Sequence, residues 1–306
     1  MLASEPMGGP VKSIRHPLLA AVLAFAAFAA PEVRAAPAAV IEGVQMPAWV
    51  ERAAIGAIRR TPLAPGMELR GGDELHTGTG ARIYVKLSEG SLIKLGENAS
   101  LRILDLAPEE GGLFKAALHV LEGAFRFTTD ILAKQRRRDV RIQVANVTAG
   151  IRGTDLWGKS APEKQTVCLI EGKIEVGAEG ESPVTMDQPR QFYQRVKGET
   201  QPVGFVDPTQ LAKWAQETEI ADGAGAARSG GRWTATLARV GTQAEALSLY
   251  DRLRDAGYAA HILPVKSGAG HDYLVRLSRL ASKADAEALV ERLRGTEGVK
   301  DPRVSR

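Results

Sequence analysis

Thr242-Gln243-Ala244-Glu245-Ala246-Leu247-Ser248-Leu249-Tyr250-Asp251-Arg252-Leu253-Arg254 is one pattern written twice. It returns 40 residues later as Ser282-Lys283-Ala284-Asp285-Ala286-Glu287-Ala288-Leu289-Val290-Glu291-Arg292-Leu293-Arg294. Ala244/Ala284, Ala246/Ala286, Leu249/Leu289, Arg252/Arg292, Leu253/Leu293 and Arg254/Arg294 are identical. Thr242 with Glu245, and Ser282 with Asp285, form two capping boxes that start helices. Gly257 and Gly295 are placed to stop them. The same shift pairs Trp233–Val240 with Tyr273–Leu280, so each unit reads as strand then helix. Ala259–Pro264 and Val299–Val304 supply the second and fourth strands. The order is β-α-β-β-α-β, a four-stranded antiparallel sheet with two helices on one face.

Alternation along the strands says which side chains the helices cover and which stay open. Ala235, Leu237, Val275 and Leu277 are expected beneath the helices; Thr234, Thr236, Ala238, Leu274, Arg276 and Ser278 point from the uncovered face. Thr234, Thr236, Arg276 and Ser278 put hydroxyl and guanidinium groups on that face, with Arg239 and Arg279 at the rim. Trp233 and Tyr273 occupy equivalent strand starts and are expected at the core edge; the alternative is stacking on a ligand ring.

This carboxyl-terminal region, 232–306, resembles the SPOR domain. The resemblance rests on Ala244-Glu245-Ala246 to Leu253, Gly257-Tyr258, and Ala284-Asp285-Ala286 to Leu293. It implies a ferredoxin-like module that binds peptidoglycan glycan strands lacking their stem peptides, with the hydroxyls and guanidinium groups of Thr234, Thr236, Arg239, Arg276, Ser278 and Arg279 as partners for sugar hydroxyls, acetamido groups and a sugar carboxylate. The family usually has V-Q-x-G-x-F in its first strand and R-V-x-x-G-P-F in its third. Here these read Ala235-Thr236-Leu237-Ala238-Arg239-Val240 and Leu274-Val275-Arg276-Leu277-Ser278-Arg279-Leu280.

Upstream the period changes to two. Arg82–Leu87, Leu92–Leu95, Leu101–Leu104, Ala117–Leu121, Ala124–Phe127, Val140–Val144, Thr166–Ile170 and Lys173–Val176 are short, β-branched or aromatic runs. Gly-containing turns separate them, and helical spacing is absent from Gly66 to Val176; the reading is an all-β sandwich or roll over 47–200. Glu-Gly recurs at Glu89-Gly90, Glu122-Gly123 and Glu171-Gly172, where glycine supplies a backbone position that tolerates positive φ. The carboxylates read as turn residues. Gly71-Gly72-Asp73-Glu74-Leu75-His76-Thr77-Gly78 and Thr148-Ala149-Gly150-Ile151-Arg152-Gly153-Thr154-Asp155-Leu156-Trp157 complete the pattern. With the Glu-Gly turns they resemble the FecR-like periplasmic domain, over Leu63 to Arg195. Within the second motif Arg152, Gly153, Thr154 and Asp155 read as structural: glycines for a bend, Thr154 for local backbone groups, Arg152 for a charge-assisted pair with Asp155 or Glu171. The alternative makes Arg152 a ligand hook.

Between the two regions, 207–219 reads as an amphipathic helix with Leu211, Trp214, Ala215 and Thr218 on one stripe, Trp214 packing on the β domain. Small residues over 220–231 read as a flexible linker. At the amino end Lys12 and Arg15 precede the uncharged Leu18–Ala30, too short for a bilayer span. With Val33-Arg34-Ala35 this reads as a secretory signal peptide, 1–35, cleaved after Ala35. An uncleaved anchor is the alternative.

The chain has 306 residues, a single cysteine and a formal charge of +4. This excludes an internal disulfide framework and a cysteine-based zinc site. Residues 232–306 hold 13 Lys/Arg against 9 Asp/Glu, the whole excess. The basic run Lys134–Arg138 reads as a solvated loop, not a nucleic-acid site. His16, His76, His119, His261 and His271 are scattered without metal spacing, and no nucleophile elbow or phosphate loop occurs. No cofactor, metal or catalytic set is expected. The expectation is an exported periplasmic binding or scaffold protein, holding glycan at its rear and a protein partner at its front. The alternative is a sensing module of a FecR-type system whose rear domain only docks. The 17 residues before the apolar stretch are too few for a cytoplasmic helical domain.

Overall fold

A computed structural model of the chain describes residues 37–108, 113–129, 138–151, 153–268 and 270–306. The expected signal peptide, Lys134 to Arg137 of the basic run, and Arg152 lie outside the described residues.

The β-rich body opens with β1 (Ala39–Gln45), then a hairpin of β2 (Ala48–Ala54) and β3 (Ala57–Pro62), with short β4 (Glu68–Leu69) and β5 (Glu74–Thr77). Next come β6 (Arg82–Leu87), β7 (Leu92–Leu95), β8 (Ser100–Pro108) and the long β9 (Phe114–Thr128). Then follow β10 (Arg138–Val144), β11 (Val147–Ile151), β12 (Asp155–Ala161), β13 (Lys164–Glu171), β14 (Ile174–Ala178), β15 (Val184–Met186) and β16 (Gln191–Val196). Two-residue strands β17 (Glu199–Thr200) and β18 (Gly204–Phe205) close it.

The strands form two layers. One runs β3–β2–β5–β8–β9–β10–β11–β14–β15. The other runs β16–β13–β12–β9–β7–β6–β1. Period-two alternation buries Val50, Leu75, Leu101, Val120, Ile142 and Val176 from the first against Ile41, Ile83, Leu95, Phe125, Phe127 and Leu156 from the second. A buried side chain of this size stabilises the fold by about 1.5–3 kcal/mol.

β9 belongs to both layers, and its crossing point is one of the Glu-Gly pairs. Gly90 and Gly172 sit in tight connections at φ 110° and 98°, as expected. Gly123 (φ 86°) is not in a turn: it bends β9 as it passes from β8 to β7 and β12. A Cβ there would stand 2.5 Å from that of Ala99, so only glycine fits.

Beyond β18 lie α1 (Pro208–Gln216), β19 (Ala226–Arg228), β20 (Trp233–Val240), α2 (Gln243–Asp255), β21 (His261–Ser267), β22 (Gly270–Leu280), α3 (Lys283–Leu293) and β23 (Arg303–Ser305). The last six give the expected β-α-β-β-α-β order. Their sheet runs β21–β22–β20–β23, all antiparallel, with α2 and α3 on one face. Ala246, Leu249 and Leu253 of α2 and Ala286, Leu289 and Leu293 of α3 are the buried residues at matching repeat positions. Trp233 and Tyr273 are partly buried against the same core.

The segment 220–231 is not a flexible linker. Ile220, Ala226 and Ala227 are buried, and β19 pairs with β1 through Gly43–Arg228, Val44–Ala227 and Gln45–Ala226. Ala227 also opposes Leu280 of β22, so one sheet continues from the sandwich into the rear module. Two backbone N–H groups, of Gly225 and Ala226, each donate to the buried Asp285 carboxylate at 3.0 Å. Small residues read as flexible by composition are small because this strap threads between two packed bodies.

Candidate functional site

The uncovered face of the rear sheet is built by register. Thr236 stands opposite Arg303 on one side and Arg276 on the other, and Arg276 stands opposite His261. Arg303–Thr236–Arg276–His261 is therefore one row across four strands, on the face away from α2 and α3. Arg303 and His261 are exposed, Thr236 and Arg276 half-buried. Ser278 lies beside the row, with its Oγ 3.2 Å from His261 Nε2. Arg239 and Leu274 follow on the same face with Leu263, and Arg239 Nε donates to Asp272 at 2.7 Å. That bond, then one from Ser267, holds the Asp272 carboxyl below its ordinary range. Burial, then the Arg276 charge, holds the His261 imidazolium below the usual histidine range. The Arg276 Nε is buried with no partner.

Two irregularities redistribute the residues that simple alternation put on this face. Leu237 is an extra residue between Thr236 and Ala238 relative to β22. The bulge sets Ala238 opposite Val275, under the helices, and it is buried instead of presented. At the other end Ser278 and Arg279 together face Thr234, with Arg279 at φ 60°. Thr234 is buried there, its hydroxyl 3.4 Å from that of Ser278. Arg279 Nη1 donates to the Pro65 carbonyl of the sandwich at 2.6 Å. Thr236, Arg276 and Ser278 remain together on the open face, Arg239 flanks them, and Thr234 and Arg279 belong to the seam. His261 and Arg303 were missed because cross-strand register is not visible in one strand at a time.

In the front body the Gly153-Thr154-Asp155 stretch marks where the chain leaves one layer, at β11, and enters the other, at β12. Gly153 has φ 64°. Thr154 N donates to Thr129 Oγ1 at 3.1 Å, and Thr154 Oγ1 donates to the Lys173 carbonyl at 3.3 Å. Gly172 packs so closely on this corner that a Cβ would stand 2.6 Å from the Gly153 carbonyl oxygen. Asp155 accepts from Arg126 twice, at 3.0 and 2.7 Å, and from Thr128 Oγ1 at 3.3 Å. Gly150, within β11, takes no part in the bend.

Arg126 opens a cluster that fastens the strap. Its Nη1 reaches Glu219 at 3.3 Å, and Lys94 Nζ donates to both Glu219 oxygens at 2.6 and 2.7 Å. Tyr84 donates to Glu219 at 2.6 Å and accepts the Ile220 N–H at 2.8 Å. Burial, then the Glu219 bond, pushes the Tyr84 hydroxyl up to about 12. Burial works against the Glu219 charge, but Lys94 and Tyr84 outweigh it and hold its carboxyl low. Beside this cluster Trp214 of α1 stacks on Trp157 with ring centroids 4.6 Å apart. Burial pushes the neighbouring Cys168 thiol up to about 12, leaving it inert.

Comparison with protein families adds two matches: the SPOR domain over 229–302 and the FecR protein family over 73–175. The chain carries a FecR domain and, behind it, a SPOR domain. Both are binding or regulatory modules, not catalytic ones. The FecR match begins after the β2–β3 hairpin and the SPOR match begins inside the strap. No curated protein matches the chain. Two crystal structures of a candidate anti-sigma factor from Parabacteroides distasonis ATCC 8503 are similar to it. One is 17% identical, covering 47% of this chain and 64% of its own, with a TM-score of 0.38. The other is 15% identical, covering 76% of this chain and 96% of its own, again with a TM-score of 0.38. No helix among the described residues is long and apolar enough to cross a membrane.

Proposed function

We propose that this is an exported cell-envelope protein that binds peptidoglycan glycan strands through the uncovered face of its SPOR domain. Its FecR domain contacts a protein partner in the periplasm, after removal of residues 1–35. SPOR domains bind peptidoglycan; the observation that carries the reading to particular residues is the row Arg303–Thr236–Arg276–His261, on the face the helices leave uncovered, beside Ser278. Hydroxyl and guanidinium groups suit sugar hydroxyls and acetamido oxygens. Removing a stem peptide frees a lactyl carboxylate, and Arg276 and Arg303 supply charge-assisted partners for it. The strap makes the protein a scaffold of fixed geometry, so a wall strand held at the rear sets the orientation of the front.

Retention on amidase-treated sacculi tests this, using the compact body from Ala36 to Arg306. Retention should exceed that on untreated sacculi, and Arg276→Glu should lower it at least about tenfold, the worth of one charge-assisted bond. Unchanged retention in that variant moves the site elsewhere. No retention on either preparation ends the reading and leaves the SPOR domain as a docking module for the FecR domain.

A further inference from the structure

The β2–β3 hairpin ends in Ala53-Ala54-Ile55-Gly56-Ala57-Ile58, six uncharged residues, every one exposed. Ile55 is 107% exposed and Ile58 71%, more than any other large hydrophobic side chain among the described residues. Two-residue hairpin turns ordinarily take Asn-Gly or Asp-Gly. Gly56 supplies the left-handed residue here, at φ 73°, but Ile55 at the apex contributes nothing to the turn and covers no core. Residues 53–60 are exposed on both faces of the ribbon, so the hairpin projects beyond the sandwich. A local preference broken without a structural gain points to use.

Behind the tip the character reverses. Arg52 and Arg59 stand directly opposite each other, and Arg60 stands opposite Glu51. Like charges so placed destabilise a ladder unless something anionic meets them. Arg52 is taken by Asp73, through Nε at 2.9 Å and Nη2 at 2.8 Å. Arg59 is exposed, and the Arg60 guanidinium lies 3.6 Å over the Trp49 ring. An apolar point inside a cationic collar complements a surface whose interior is apolar and whose rim is anionic. Pairing of β3 with a partner strand is opposed by the two arginines and Pro62 on that edge.

We propose that the β2–β3 hairpin is a membrane-contact element. Ile55 and Ile58 enter the acyl boundary of an anionic bilayer, while Arg59 and Arg60 meet lipid phosphates. Two side chains insert shallowly, so attachment is reversible and salt-sensitive.

Sedimentation of the Ala36–Arg306 body with vesicles tests this, comparing phosphatidylglycerol/phosphatidylcholine mixtures with phosphatidylcholine alone. Binding should require phosphatidylglycerol and weaken with salt. The double variant Ile55→Asp with Ile58→Asp should lose it at least about tenfold, and Arg59→Glu several-fold. Neither should lower the unfolding midpoint, because all three side chains are exposed. A wild type that ignores anionic vesicles, or a double variant that sediments equally well, overturns the proposal. So does a concentration-dependent dimer that disappears in the double variant without any vesicle binding, which would give the tip to a second copy of the chain.

Discussion

The two copies of the repeated unit in the SPOR domain start from nearly the same residues and end in different surroundings. Thr242 and Glu245 cap α2 in solvent, with Thr242 Oγ1 donating to Glu245 at 2.7 Å. Ser282 and Asp285 make the same contact at the start of α3, at 2.6 Å, but Asp285 is 3% exposed and also holds the strap. The helix ends differ too. Gly257 (φ 85°) closes α2 with a Schellman motif, Tyr258 N to Leu253 O at 2.9 Å and Gly257 N to Arg254 O at 3.0 Å. It sits against Trp49 and Pro47, and Ala48 N donates to its carbonyl at 3.0 Å. Gly295 adopts no left-handed turn and faces open space. Duplication supplies the fold, and docking on the front body gives each copy its own duty.

The comparison breaks most readily at the caps. Asp285→Ala leaves two buried N–H groups without an acceptor and should cost about 3 kcal/mol in denaturant unfolding. Glu245→Ala should cost only about 0.5 kcal/mol. Equal losses would mean that Asp285 does no more than cap its helix.

The helix ends provide a second, smaller contrast. Gly257→Ala forces a Cβ to within 2.8 Å of the Trp49 ring at a left-handed backbone position, and should cost about 2 kcal/mol. Gly295→Ala should change stability by less than about 0.5 kcal/mol in either direction. A thermal scan of the pair decides it, and a neutral Gly257→Ala would detach this helix end from the front body.

The smallest effect concerns pH. Because His261 binds its proton less readily when folded, its contribution to stability is complete above the unfolded histidine range of about pH 6.5. It fades as pH falls through the window beneath that value. Wild type should therefore lose more unfolding free energy than His261→Asn between about pH 7 and pH 5. Parallel losses would remove His261 from the balance.

Much of this was legible in the sequence. Helical period, capping boxes and the 40-residue shift specify the SPOR topology, since each is a local pattern. The Glu-Gly pairs foretell positive φ, and the Trp214 stripe foretells docking on the sandwich, where Trp157 meets it. What escaped is what depends on distant pairing. The bulge at Leu237 turns Ala238 inward, the second at Ser278–Arg279 carries Arg279 to Pro65, and β19 hides in small residues because its burial comes from β1 and α3. His261 and Arg303 join the candidate face only through the registers of β21 and β23. Asp155 pairs with Arg126, a residue of β9 that no motif near Asp155 announces.

β1 illustrates a wider consequence of the shared sheet. Its outer edge is completed by β4 and by β19, so the earliest strand of the sandwich waits for residues that follow the whole FecR domain in the chain. Cutting the polypeptide before Ala226 would bare three residues of that edge, inviting neighbouring molecules to zip onto it. The strap thus also covers an edge of the sandwich, and the two halves should resist being shuffled into new combinations as independent parts.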